Sequence, residues 1–186
     1  YWKVGNHMST LSVDTIQGQT TASDVRIPGH VIQVVQKFDK DVTTVTNTGS
    51  HAQFVTCGSL SQSFTPKSNT SKVLLKSSVF VSNAGTADRL AFFKFTGGNS
   101  ASGLATVAGS RTSSLAGIYL AAGSDASQVS FEYLDSPATN SAITYTVQIA
   151  PNYNTGNLYI NRYNNDVDQA YIPRLCSSLT IMEIAQ

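Results

Sequence analysis

The sequence is poor in charge, in cysteine and in long hydrophobic runs. Only 12% of its 186 residues are charged, and the net charge is +1. Because soluble domains ordinarily carry about 25% charged residues, the surface of this protein must be built from other polar groups. Since neither sign of charge is concentrated in a run, we expect neither nucleic acid nor an anionic membrane as a partner.

Three further shortages narrow the range of functions. No apolar stretch approaches the roughly 20 residues that a membrane-spanning helix needs, so we expect no membrane insertion. Cys57 and Cys176 lie far apart and match no metal-binding spacing. Two reduced thiols are the simpler expectation, and a disulfide between them is the alternative that the sequence leaves open. His7, His30 and His51 also fit no metal-ligand spacing.

The chain divides into three segments. Residues 1–7 hold the only Trp and precede Met8, so we expect them to be an added leader. Residues 8–28 alternate only briefly and are expected to form an extended arm. Pro28 and Gly29 mark a stop, because Pro forces the preceding residue out of helical space and Gly permits a turn. Residues 29–186 are expected to form one compact domain.

The domain consists of short strand-like runs bounded by Gly, Pro, Asn, Asp or Ser. The clearest strand is predicted at residues 72–82, where apolar side chains alternate with polar ones. A weak strand is predicted at 104–107, and residues 158–162 and 179–184 are expected to form a final hairpin. No segment has sustained helical spacing. The pattern predicts an all-β fold of about 8–10 strands, either a sandwich or a jelly roll.

Acidic residues supply the nearest approach to a catalytic or metal site. Glu132 and Asp135 are close in sequence, as a glycosidase pair would need to be in space, but Asp135 is better explained by the turn it begins. Asp166 and Asp168, in an Asn/Asp-rich run, are weak candidates for calcium ligands, because calcium takes 6–8 oxygens and this run offers few. We therefore expect no enzyme activity, no catalytic residue and no cofactor.

Four segments resemble a family of phage proteins. These are MSTLSVDTIQG (8–18), IPGHVIQVVQ (27–36), VSFEYLDSPATNSAITYTVQI (129–149) and the NLYINR and LTIMEIAQ ends of residues 157–186. They are similar to tailed-bacteriophage structural proteins of the marine-phage type, which carry a trimeric knob at the tip of a tail needle or tail fibre. The resemblance implies a jelly roll like that of tumour necrosis factor and C1q, assembled as a homotrimer on the virion.

The resemblance also implies partners and a role. Such knobs contact a host cell-surface glycan or an outer-membrane protein during adsorption, and the arm at 8–28 would join the knob to other virion proteins. The alternative is a trimeric capsid decoration or head fibre with a purely structural role. The missing shaft leaves the attachment point, on tail or capsid, undecided.

Aromatic residues give two groups of candidate site residues. One group has two interpretations, either packing within a single sandwich core or lining the seam between subunits of a trimer, where aromatics are enriched; its members are Phe131, Tyr133, Tyr145 and Tyr159. The other group lies in or beside Asn-rich loops and is expected to stack on sugar rings of a receptor; its members are Tyr153, Tyr163 and Tyr171.

Overall fold

The computed structural model describes residues 15–17, 27–46, 52–84, 87–107, 109–123, 125–152 and 156–186. These residues form strands and one short 3-10 helix at Ser100–Gly103. The strands are β1 (Val31–Asp39), β2 (Thr43–Thr46), β3 (Val55–Phe64), β4 (Lys72–Asn83), β5 (Arg89–Thr96), β6 (Ala116–Leu120), β7 (Ala126–Asp135), β8 (Ile143–Pro151), β9 (Asn157–Ile160) and β10 (Ser177–Ile184).

The strands build two antiparallel sheets. In sheet I, β4 lies between β7 on one edge and both β9 and β10 on the other. β9 and β10 lie end to end along β4, and β2 and β1 lie end to end along them in turn. Six strands therefore fill four positions. Sheet II has the order β3-β8-β5-β6. The two sheets together have eight strand positions, and their strand order is that of a jelly roll. The predicted fold class is therefore confirmed.

Two local predictions are wrong. Residues 158–162 and 179–184 do not form a hairpin, because β9 and β10 continue one another along the same edge of β4 and never pair. The weak strand predicted at 104–107 is instead irregular chain that follows the 3-10 helix. In both cases the local residue pattern suits a strand, but the pairing partner is set by distant parts of the chain.

The core lies between the two sheets. Alternate residues of β4 point inward, as the pattern of residues 72–82 predicted, and Val73, Leu75, Val79 and Val81 are wholly buried. They face inward residues of sheet II, notably Phe93, Phe95, Val147 and Ile149. Side chains on a strand point alternately to opposite faces, so one face of each sheet is committed to this core and the other faces outward.

The last strand is fixed on both sides and at its end. β10 pairs with β1 on one edge and with β4 on the other. Near its end the buried Glu183 carboxylate accepts hydrogen bonds from the backbone N–H groups of Lys67 and Ser68, at 2.8 Å and 3.2 Å. A buried charge is tolerated when it is hydrogen-bonded in this way. Glu183 therefore ties the loop after β3 to the end of the chain.

The core makes a direct prediction about stability. Leu75→Ala removes a wholly buried side chain from the centre of β4 and should lower the free energy of unfolding by about 2–5 kcal/mol. Leu90→Ala is a matched control on β5, where the side chain is 36% exposed, and should cost less than about 1.5 kcal/mol. Urea unfolding measures both. Equal losses of unfolding free energy in the two variants would contradict the assignment of Leu75 to the core and of Leu90 to an outer face.

The two cysteines are both free, so the disulfide that the sequence left open is not formed. Burial raises the pKa of the Cys57 thiol, and the nearby Asp39 carboxylate raises it further. Cys176 is exposed. Because the thiolate is the reactive form, native protein should react with dithionitrobenzoate at one thiol, and urea-unfolded protein at two. The Cys176→Ser variant should be unreactive until it is unfolded, and a fast-reacting Cys57 would contradict this burial.

Candidate recognition loop

Residues 161–176 interrupt one strand of sheet I, and we name them the insertion loop. The chain leaves the sheet after β9 and re-enters it at β10, so both ends of the loop are anchored beside β4. Loops that carry binding residues are commonly held by a rigid scaffold of this kind. The insertion loop is therefore the first place to look for a recognition surface.

Asn161 fastens the base of the insertion loop. Its side-chain amide donates to the backbone carbonyls of Asp39 and Asp41, both at 2.9 Å, and its side-chain oxygen accepts from the Ser177 hydroxyl at 2.7 Å. Its backbone N–H donates to the carbonyl of Phe80 at 3.2 Å. Asn161 is wholly buried and has a φ of 65°, a conformation that Asn tolerates better than most residues. This one residue thus joins β1 and β10 through its side chain and β4 through its backbone.

Arg162 braces the first turn of the loop. Its guanidinium lies 3.4 Å from the centre of the Tyr159 ring, an arrangement in which the ring attracts the cation. It also lies 3.7 Å from the Asp166 carboxylate, which Arg174 contacts at 2.7 Å from the far side of the loop. The carboxylate therefore links both arms of the loop, and Tyr159 serves as a platform for Arg162.

The two loop tyrosines predicted to bind a receptor occupy different environments. Tyr163 packs edge-on against Phe80 of β4, with ring centres 5.3 Å apart, so much of its ring holds the loop on the sheet. Tyr171 is 75% exposed. An exposed aromatic ring on a braced loop is available for stacking, so Tyr171 is the stronger of the two candidates.

A polar depression of about 260 Å³ lies in the insertion loop. Carboxylate, amide and guanidinium groups supply hydrogen-bond donors and acceptors at its wall, and two aliphatic side chains complete it; the lining residues are Asp166, Val167, Asp168, Gln169, Ile172 and Arg174. Binding sites combine a few such polar groups with apolar surface. The chemistry of the depression suits a small, neutral, hydroxyl-rich group.

The geometry disfavours Asp166 as a metal ligand. Its carboxylate is shared by the guanidinium groups of Arg162 and Arg174, and a cation would be repelled by both. Asp168 lines the same depression. Within the ranges that the structure describes, no group of three or more His, Cys, Asp or Glu side chains could hold a metal ion.

Three of the four aromatics considered for a subunit seam pack in or against the core. Tyr145 is wholly buried, so its assignment to a seam is wrong. Its hydroxyl donates to the buried Asp135 carboxylate at 2.6 Å, and burial together with this bond raises the pKa of Tyr145. Phe131 packs against Phe93 and Phe95, with ring centres 5.4 Å and 5.0 Å away.

Tyr133 also faces inward. Its ring lies against Gly103, where a Cβ atom would come within 2.4 Å of the ring, and its hydroxyl donates to the Asn99 carbonyl at 3.4 Å. Tyr159 is committed to Arg162. Of the two interpretations, packing within one sandwich therefore applies to Tyr145, which is wholly buried. Phe131 and Tyr133 pack against the same core and are partly buried, so their place in a subunit seam stays a prediction.

Glu132 and Asp135 do not form a pair. Glu132 is exposed on the outer face of β7 and ion-paired with Lys76 at 3.4 Å, whereas Asp135 is buried on the inner face. Asp135 accepts from the backbone N–H groups of Asn99 and Ser136, at 3.0 Å and 2.8 Å. It is thus satisfied as a turn residue, as the sequence suggested.

The described ranges also contain no helix long and apolar enough to cross a membrane.

Some predicted features lie outside the described residues. They are residues 1–7, most of the arm at 8–28, His51 and Tyr153. Conversely, sequence reasoning missed Asn161, which fastens the insertion loop. Its only sequence signal is an Asn directly after an alternating strand, where a positive φ is tolerable.

Comparisons with known proteins give little guidance. No protein-family model and no curated protein match this chain. Among solved structures, it is similar to a chain in the structure of infectious bursal disease virus, Gx strain, with 11% sequence identity and a TM-score of 0.43. The similarity covers 96% of this chain and 43% of that chain, so this chain spans less than half the length of its viral neighbour. At this TM-score the similarity supports no conclusion about fold or function.

Mutation of Asn161 tests whether this residue fastens the base of the insertion loop. Asn161→Ala removes the hydrogen bonds to the Asp39 and Asp41 carbonyls and to the Ser177 hydroxyl, and each such loss costs about 1–3 kcal/mol where the group left behind is buried. We expect the free energy of unfolding, measured in urea, to fall by about 3 kcal/mol or more.

Two control variants separate the causes of this loss. Asn161→Gly removes the same hydrogen bonds but accepts the positive φ, so it should be about 1 kcal/mol more stable than Asn161→Ala. Asn165→Ala, at an exposed loop position, should change the free energy of unfolding by less than about 0.5 kcal/mol. If Asn161→Ala behaved like Asn165→Ala, Asn161 would not fasten the loop.

Proposed function

We propose that this protein is a non-enzymatic structural component of a phage virion that acts as the distal knob of a tail needle or tail fibre. In this role the insertion loop contacts the host cell surface during adsorption. The observation that carries the proposal is the exposed Tyr171 ring on a loop whose base and arms are braced by Asn161 and Asp166. A braced loop loses little conformational entropy on binding.

The chemistry of the loop favours a glycan over a protein receptor. The depression beside Asp168 and Gln169 is polar, which fits the hydroxyl groups of a sugar, and Tyr171 offers a flat ring for stacking. A protein receptor would instead favour a larger apolar centre, and the loop has only Val167 and Ile172 in its depression.

Other parts of the proposal rest on the resemblance of the four sequence segments. They are the virion location, the homotrimer, and contact between the arm at 8–28 and other virion proteins. The jelly-roll topology is compatible with each of them, since jelly rolls build many viral capsid proteins.

Tyr171→Ala tests recognition. Purified protein applied to an array of bacterial surface polysaccharides should bind a subset of them, and the variant should bind the same subset at least about tenfold more weakly, as expected when an anchoring aromatic is truncated. Tyr119→Ala is the matched control, because Tyr119 is also an exposed tyrosine, at 57%, but lies on β6 of the other sheet.

Two results would contradict recognition by the loop. One is equal polysaccharide binding by wild type and Tyr171→Ala. The other is no binding to any polysaccharide by folded wild-type protein, which would favour the alternative of a purely structural capsid decoration or head fibre.

A further inference from the structure

The outer face of sheet I carries an apolar row that crosses four strands. Val34, Met182, Leu74 and Leu134 stand directly opposite one another on β1, β10, β4 and β7. Val34 is 54% exposed and Leu134 is 48% exposed. Isolated apolar side chains are normal on a surface, but a contiguous apolar patch marks an interaction site.

A polar row runs alongside the apolar row, two residues further along each strand. It consists of Gln36, Thr180, Lys76 and Glu132. Gln36 donates to the Thr180 hydroxyl at 2.9 Å, and Lys76 pairs with Glu132 at 3.4 Å. Because these groups have partners within the row and their charges cancel, the face can be covered without leaving a polar group unpaired.

A third row places a large side chain at one edge and small ones at the other. Phe38, on β1, is 50% exposed, and it is followed across the sheet by Ser178, Ser78 and Ser130. The serines border a groove of about 640 Å³ on this face. The insertion loop packs on the sheet at Phe80, one row further along, so these three rows stay uncovered by it.

We propose that this face binds the same face of a second copy of the chain, about a two-fold axis parallel to the strands. Such an axis places each row of one copy against the same row of the other copy, with the order of the strands reversed. In the apolar row, Val34 then meets the Leu134 position of the other copy. In the polar row, Lys76 meets the Thr180 position, so no like charges are brought together.

The third row shows complementarity of shape under the same axis. The Phe38 ring of each copy comes to lie over the Ser130 position of the other, at the edge where the groove is bordered by serines. A large side chain thus fills space that small side chains leave. In these three rows the apolar, polar and size patterns match under a single operation, and this self-complementarity favours a second copy as the occupant.

The area is that of a small specific contact. Four strands span about 20 Å, and the seven residues over which β10 pairs with β4 span about 24 Å, giving roughly 500 Å² of projected face per copy. Accessible area exceeds projected area when side chains protrude, so the two copies together reach the about 1,000 Å² that a biological interface needs. The pairing does not depend on the proposed function, because it concerns the sheet and not the insertion loop.

The test is the mass of the particle in solution, measured by size-exclusion chromatography with light scattering. Wild type should contain six chains if it also forms the proposed homotrimer, and two chains if it does not. Val34→Glu combined with Leu134→Glu places like charges against each other twice and should halve the mass. Val34→Lys combined with Leu134→Glu places opposite charges together and should keep the wild-type mass.

Controls distinguish a loss of pairing from misfolding, and they keep the test of pairing separate from the test of recognition by the insertion loop. Thr56→Glu combined with Thr144→Glu adds two charges at exposed positions of sheet II and should leave the mass unchanged, and circular dichroism should show every variant folded. A monomeric or trimeric wild type, or a Lys/Glu combination as dissociated as the Glu/Glu one, would overturn the pairing. Polysaccharide binding by Tyr171→Ala is read separately, so either proposal can fail alone.

Discussion

The hydrogen bonds of Asn161 are the constraint on which this structure depends. Two strand positions of sheet I are broken at the same level, between β1 and β2 and between β9 and β10. Asp39 is the last residue of β1 and pairs with Ser177, Asp41 lies between β1 and β2, and the buried Asn161 amide donates to the carbonyls of both. Without that amide, the sheet would lose a hydrogen bond to the buried carbonyl of Asp39. The side chain therefore allows a long loop to leave the middle of a sheet without disrupting it.

The same constraint gives the loop its function in our account. Because both ends of the insertion loop are fixed to β4, and because Asp166 joins its two arms, the exposed Tyr171 ring is held in place before any ligand arrives. Preorganised groups bind more tightly than mobile ones because less entropy is lost. The jelly roll contributes a stiff platform, and the outer face of sheet I differs in chemistry from the insertion loop. Sheet I exposes an in-register apolar row, which suits contact with another copy, whereas the loop is polar and suits a hydrated ligand.

Much of the fold could be predicted from sequence, and the site only in part. The alternation at residues 72–82 revealed β4, because inward and outward residues of a strand must differ when one face is buried. The interruption of the last strand could not be predicted, because β9 and β10 are aligned by their shared partner β4 and not by local pattern. Tyr145 could be a core or a seam residue on sequence alone, because both environments select aromatics. Asn161 was missed since the two carbonyls that its amide binds lie 120 or more residues away.

Amide hydrogen exchange across the insertion loop tests the central claim most directly, namely that the loop is held rigid by the sheet. The N–H of Asn161 donates to Phe80, and that of Leu175 donates to Asn161, so both amides should be protected to nearly the degree of β4 amides. The exposed residues of the tip, around Tyr171, should exchange faster. If the amides of Asn161 and Leu175 exchanged at the rate of an unstructured peptide, the loop would be open at its base, and a preorganised recognition surface would be contradicted.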